Sequence, residues 1–121
     1  MLEPPRNSDP ALLHPVFREK ARALLDTMAA EGLPFRLFEG FRSAERQQYL
    51  YSLGRTKSMP WESFHQYGLA GDFVLFENGQ WSWEPGRYSR LHEVGKQLEL
   101  EPLGFELPHL QLTGLILRKA A

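Results

Sequence analysis

Asn78-Gly79 is the feature that most constrains this chain. Both residue types accept left-handed backbone, so the pair closes a two-residue hairpin whose twist matches its strands. The apolar run 70–76 before it and the segment carrying Trp81 and Trp83 after it must then pair antiparallel. Helical periodicity lies on both sides of the hairpin. Together these imply an α+β domain, a small and mainly antiparallel sheet packed with about three helices.

The flanking sequence fills in that frame. Residues 1–9, with Pro4 and Pro5, read as an extended arm, and residues 10–121 as a single domain. Asp9 can cap a helix with Pro10 in its first turn, in which Leu13, Phe17, Ala21, Leu24 and Met28 recur at helical spacing until Gly32. Residues 35–38 read as a short strand. Ser43 can cap a second helix that Gly54 ends, with Gln47 and Tyr51 on one face. A loop over 56–62, interrupted by Pro60, leads into 63–68. Tyr88, Leu91, Val94 and Leu98 mark a third helix. A strand over 109–112 closes the fold, and Pro108 points to an edge or a first position for it.

Composition narrows the function. With 121 residues, 42% hydrophobic, the chain can bury roughly two-thirds of its unfolded surface in one core. Its 14 Lys and Arg against 15 Asp and Glu are scattered, which argues against nucleic acid or an anionic membrane as partner. The absence of cysteine excludes disulfides and thiolate ligands, so a metal would need His, Asp or Glu. The opening MLEPPRNSDP has no secretory pattern, and no stretch approaches the ~20 apolar residues of a membrane span. The expectation is a monomer made in the cytoplasm without a signal peptide and without membrane insertion.

Five residues could carry chemistry. Alternation places Asp72 with Val74 and Phe76, so its carboxylate heads toward apolar surroundings, which is costly unless it is paired or metal-bound. An arginine or a backbone cap would satisfy it as well as a metal. His65, seven positions earlier, would face the other way in a straight strand, and Gly68 and Gly71 supply the bends needed to bring the two together. Glu106 precedes His109 by three residues, a spacing that chance also produces. Jointly, His65, Asp72 and His109 offer three ligands, which would leave one position of a zinc ion for water. Glu106 beside that position could take the water's proton, and Arg42 at the strand-to-helix turn could stabilise an oxyanion. A surface ion pair is the plainer account of Arg42 taken alone.

Three segments, RSAERQQYLYSLGR (42–55), SFHQYGLAGDF (63–73) and ELPHLQL (106–112), resemble in order and rough separation the linked motifs of zinc peptidases that cut peptidoglycan peptides. That family is the D-alanyl-D-alanine carboxypeptidase and L-alanyl-D-glutamate endopeptidase group, of hedgehog/DD-peptidase-like fold. The resemblance covers residues 10–112. It implies one zinc per chain held by His65, Asp72 and His109, with Glu106 as catalytic base and Arg42 binding substrate or stabilising the transition state. Ser63 and Gln47 would help hold the peptide. The pairing of RSAERQ with SFHQYGLA is closer to phage endolysin-like endopeptidases. The expected activity is therefore zinc-dependent cleavage of L-alanyl-D-glutamate in peptidoglycan stems, acting on the wall after release in the manner of a phage or prophage enzyme. Cleavage of terminal D-alanyl-D-alanine is the alternative with the same site. A zinc-stabilised binding module is the rival of another class, and Glu106 and Arg42 argue against it, since structural zinc needs neither.

Some positions depart from the pattern or fall outside it. Gly71 stands where a larger apolar residue is common, an expected loosening of the ligand strand. The 98–106 connection and the loop before Ser63 are compact, which bears on the cleft rim. His14 and His92 are expected on helix surfaces, away from metal. Trp81 and Trp83 share a strand face, where sheet cover competes with stacking on substrate.

Overall fold

The computed structural model describes residues 2–104 and 106–113. Met1 of the expected arm, Phe105 in the compact connection and residues 114–121 of the expected domain lie outside the described residues. The chain runs α1 (Pro15–Ala30), β1 (Phe35–Glu39), α2 (Ala44–Ser52), β2 (Ala70–Glu77), β3 (Gln80–Ser82), α3 (Ser89–Gln97), β4 (Leu100–Leu103) and β5 (Glu106–Leu112). Short 3-10 turns occupy Pro10–Leu12, Phe64–Tyr67 and Pro85–Arg87.

The hairpin forms as its residues dictate. Asn78 and Gly79 take φ of 53° and 74°, and β3 returns antiparallel along β2. The sheet order is β1-β2-β5-β4, every pair antiparallel. Leu75 pairs with Phe35 on one side and Ser82 on the other, so β3 and β5 share one edge of β2 at its two ends. This is the expected α+β arrangement.

Alternation in β2 divides the molecule. Phe73 and Leu75 join Phe35 and Leu110 in one core with Phe17, Leu24 and Met28 of α1 and Leu91 and Val94 of α3. The opposite phase, Asp72, Val74 and Phe76, looks away from that core. Burying apolar area at roughly 25 cal/mol per Å² therefore stabilises one face of the sheet and leaves the other free to carry polar groups. Among the described residues no helix is long and apolar enough to cross a membrane.

Three local expectations are corrected. The first helix begins at Pro15, not after Asp9. Asp9 does accept from Ala11 N at 2.9 Å, but this closes only a 3-10 turn. Pro15 forces residue 14 out of the helical region (φ −56°, ψ 137°), and His14 Nδ1 accepts from Val16 N as the true cap. Next, β5 is an interior strand despite Pro108. Its ladder with β2 ends at Asp72↔His109, and its ladder with β4 is broken between Pro102 and Leu103, so Pro108 falls where neither neighbour needs its missing N–H. Lastly, part of the 98–106 connection is the edge strand β4, which Pro102 conceals from a propensity reading.

Candidate metal centre and active-site cleft

The site begins with a turn rather than a strand. Ser63 Oγ accepts from His65 N at 3.2 Å and so starts the turn Phe64–Tyr67. Gly68, at φ 70°, ends it and turns the chain into β2. Its carbonyl accepts from His14 N at 3.0 Å. An added Cβ at Gly68 would lie 2.7 Å from that same nitrogen, so only glycine fits. His65 is thereby lifted off the strand phase and meets Asp72, while His109 arrives as Asp72's direct partner on β5.

Three donor atoms converge. His65 Nε2 and His109 Nδ1 are 3.2 Å apart, and Asp72 Oδ1 is 3.3 Å and 3.4 Å from them respectively. A tetrahedral ion with ligand distances of ~2.0–2.1 Å has ligand–ligand edges of roughly 3.3–3.4 Å, so the triangle has the size of one face of such a site. The remaining ring nitrogens set the tautomers. His65 Nδ1 lies 2.8 Å from Gly40 O and His109 Nε2 lies 2.7 Å from Gln111 Oε1, both acceptors, so each donates its N–H outward. Lone pairs are then left facing Asp72, an arrangement typical of metal-bound histidines. Both histidines are buried. Lone pairs facing a carboxylate repel unless a cation or a proton sits among them, and the donor set fits a metal.

Where protons take the place of a cation among these donors, the electrostatics follow: loss of water would raise the Asp72 carboxyl, but positive charge and N–H groups on the two imidazoles outweigh that and hold it well below the usual carboxylate range. Burial would lower His109, and the Asp72 carboxylate raises it instead.

Around the triangle lies a second set of groups. Glu106 is half-buried, with Oε2 3.7 Å from His109 Nδ1, beside the triangle but outside it. Arg42 is buried on the other side. Its Nη2 donates to Glu39 Oε1 at 3.1 Å and to Asp72 Oδ2 at 3.5 Å, and its Nη1 donates to Gln47 Oε1 at 3.0 Å. Of the partners that its strand position had left open, arginine meets one oxygen of Asp72, while the other oxygen faces the histidines of the donor triangle. Gln47 is fully buried, and its Nε2 donates to Ser58 O at 2.6 Å. Its amide ties Arg42 to the 56–58 loop. Ser63 lines a smaller recess of about 220 Å³ shared by His65, Glu106 and His109.

The main cleft, about 460 Å³, runs past Arg42, Asp72 and Glu106 to an apolar wall of Phe38, Trp83 and Leu107. Trp81 covers the sheet edge-on to Phe38 and Phe76, whereas Trp83 is 52% exposed and faces the cleft. His92 donates through Nε2 to Leu107 O at 2.7 Å, and with His14 it stands outside the donor triangle. Gly71 is not a loose point. Leu37 and Phe73 fill the space of its missing side chain, approaching to 3.0 Å and 3.1 Å of where a Cβ would stand.

Glu39 was invisible in sequence. The register of β1 slips between Leu37 and Glu39, so Glu39 opposes Asp72 instead of following Phe35 and Leu37 into the core. Such a bulge re-aims a side chain, and the phase of an alternating strand does not reveal it. The only signal was an acid three residues before Arg42.

No family model matches the chain. It is 40% identical over 125 residues to the peptidoglycan L-alanyl-D-glutamate endopeptidase CwlK of Bacillus subtilis (strain 168), covering 85% of this chain and 75% of that protein. Among solved structures it resembles the L-Ala D-Glu endopeptidase ChiX of Serratia marcescens, with TM-score 0.71, 25% identity, and 89% and 86% of the two chains covered. The vancomycin resistance D,D-pentapeptidase VanY, in complex with Zn(II), shares the fold with TM-score 0.67 at 20% identity, over 89% and 76% of the chains. The identity to CwlK over most of both chains, on the fold shared with ChiX, places this chain in the family of peptidoglycan D-alanyl-D-alanine carboxypeptidases and L-alanyl-D-glutamate endopeptidases.

Proposed function

We propose that this protein hydrolyses the L-alanyl-D-glutamate bond of peptidoglycan stem peptides, with one zinc ion held by His65, Asp72 and His109. The observation that carries the reading is the triangle of three donors 3.2–3.4 Å apart, with one carboxylate adjacent to it and not part of it. The 40% identity to an enzyme of that name supports the choice of bond.

Zinc bound there would lower the pKa of a water molecule to about 7 and polarise the scissile carbonyl. The chain's own groups do the rest. Glu106, half-exposed at the cleft wall, accepts the proton of the attacking water and passes it to the leaving amide nitrogen. Arg42 places a fixed positive charge where the carbonyl oxygen becomes negative. Its Nη1 holds Gln47 with one N–H and has a second for the substrate. Gln47 acts through Arg42, and Ser63 acts through His65 while its hydroxyl hydrogen remains available in the smaller recess. Trp83 and Phe38 give the peptide an apolar surface to lie on.

The test is mass spectrometry of purified peptidoglycan after digestion with zinc-loaded and chelator-treated protein. New L-alanine C-termini and D-glutamate N-termini, seen only with zinc, are the expected result. Released D-alanine would move the cut to the stem terminus. No zinc-dependent product from several wall types would overturn the enzymatic reading.

A further inference from the structure

Of the carboxylates lining the main cleft, Asp72 and Glu106 have tasks above and Glu39 has none. Glu39 is 3% exposed, yet it holds two guanidinium groups at once. Its Oε1 accepts from Arg42 Nη2 at 3.1 Å and from Arg46 Nη2 at 3.5 Å, and its Oε2 accepts from Arg46 Nε. Arg46 is itself buried and anchored from outside, donating through Nη1 to Pro4 O at 2.9 Å and facing Glu3 at 3.5 Å.

Arg42 Nη2 is the shared atom. It serves Glu39 at 3.1 Å and Asp72 at 3.5 Å, so two carboxylates compete for one nitrogen and the closer partner is Glu39. The buried Arg42 Nε has no partner. The placement of this guanidinium therefore depends on Gln47, Glu39 and Asp72 alone.

We infer that Glu39 is a positioning residue for the metal centre and for Arg42. By drawing the Arg42 guanidinium toward β1, it keeps that cation from closing on Asp72. The Asp72 carboxylate then keeps Oδ1 on the two imidazoles, and Arg42 stays where the substrate oxygen develops charge. The inference rests on the zinc-peptidase reading. Without the charge of Glu39, Arg42 has only one anionic partner left, Asp72, and the neighbourhood of the cation site becomes more positive. Both effects weaken cation binding, and the first also misplaces Arg42.

The experiment uses Glu39→Gln in the full chain, which removes the charge at nearly constant shape. Zinc affinity is read by competition with a chromophoric chelator, independently of activity. The expected result is a loss of affinity of about tenfold, as for other outer partners of metal ligands. With zinc saturating, kcat should fall while KM changes less. Should Glu39→Gln fail to fold, the double variant Glu39→Gln/Arg46→Met removes the buried anion and a buried cation together, a replacement such sites often tolerate. A smaller but clear loss of zinc affinity is expected, because the net charge is restored while Arg42 has still lost its anchor. Wild-type zinc affinity and kcat in either folded variant, with only the melting temperature lowered, would make Glu39 purely structural and overturn the inference. Wild-type protein without zinc-dependent cleavage would instead overturn the activity reading, leaving the chelator result to decide the role of Glu39 at the metal.

Discussion

The two oxygens of Asp72 face different partners, Oδ1 the imidazoles of His65 and His109, Oδ2 the guanidinium of Arg42. Removing the carboxylate strips a ligand and releases Arg42 together. Asp72→Ala should therefore bind zinc at least tenfold more weakly and lose the zinc-dependent part of its thermal stability, read by metal content and by melting with and without zinc. Unchanged zinc content would remove Asp72 from the ligand set. Glu106 differs, because it stands beside the donors without joining them. Glu106→Ala should keep one zinc per chain while kcat falls by about 10²–10⁴-fold, the range for a general acid–base group. Metal loss in that variant would place Glu106 among the ligands. At this scale much was legible, because a carboxylate in an apolar strand and histidines without cysteines already restrict the chemistry. Glu39 was not, since its aim depends on a bulge. The burial of Gln47 was hidden as well, because a polar residue on a short helix reads as solvent-facing until Arg42 and the Ser58 carbonyl are seen to enclose it.

Elements bring these residues together through their joints. The turn Phe64–Tyr67 presents His65, and Gly68 lets it pack against the backbone ahead of α1. Gly68→Ala would combine left-handed backbone, about 1–2 kcal/mol, with a Cβ 2.7 Å from His14 N, an overpacking that costs about 1–3 kcal/mol. Denaturant unfolding should show a loss of at least about 2 kcal/mol. Gly79→Ala makes a contrast, with φ 74° but open space around the new carbon, so it should cost about 1–2 kcal/mol. Equal losses in the two variants would mean that the contact with His14 is not tight. Helix faces and the hairpin were readable, since periodicity and turn chemistry are local. The start of α1 was misread because two candidate caps, Asp9 and His14, each precede a proline, and the second proline decides. The strand β4 was missed because its pairing partner, β5, supplies what its own residues do not.

At the scale of the whole molecule, one sheet face is closed by α1 and α3 and the other carries the site, so metal binding draws on β2, β5 and the turn at His65 together. Binding to the folded state alone should stabilise the protein by about 2.7 kcal/mol at a zinc concentration a hundredfold above Kd. Chelation should lower the melting temperature by several degrees, and zinc should restore it. A melting temperature indifferent to both would separate the donor triangle from metal binding. The chain order of the three motifs, the apolar faces of the helices and the hairpin were determined by the sequence alone, because each is set by neighbours a few residues away. Tertiary structure decided which nitrogen of each histidine faces Asp72, how Arg42 is divided between two carboxylates, and that Pro108 can lie inside a central strand. Each of those outcomes turns on at least one contact set by the fold and not by sequence neighbours, such as Gly40 O on His65, 25 positions away, Arg42 on Asp72, 30 away, and His65 on His109, 44 away, which no local pattern encodes.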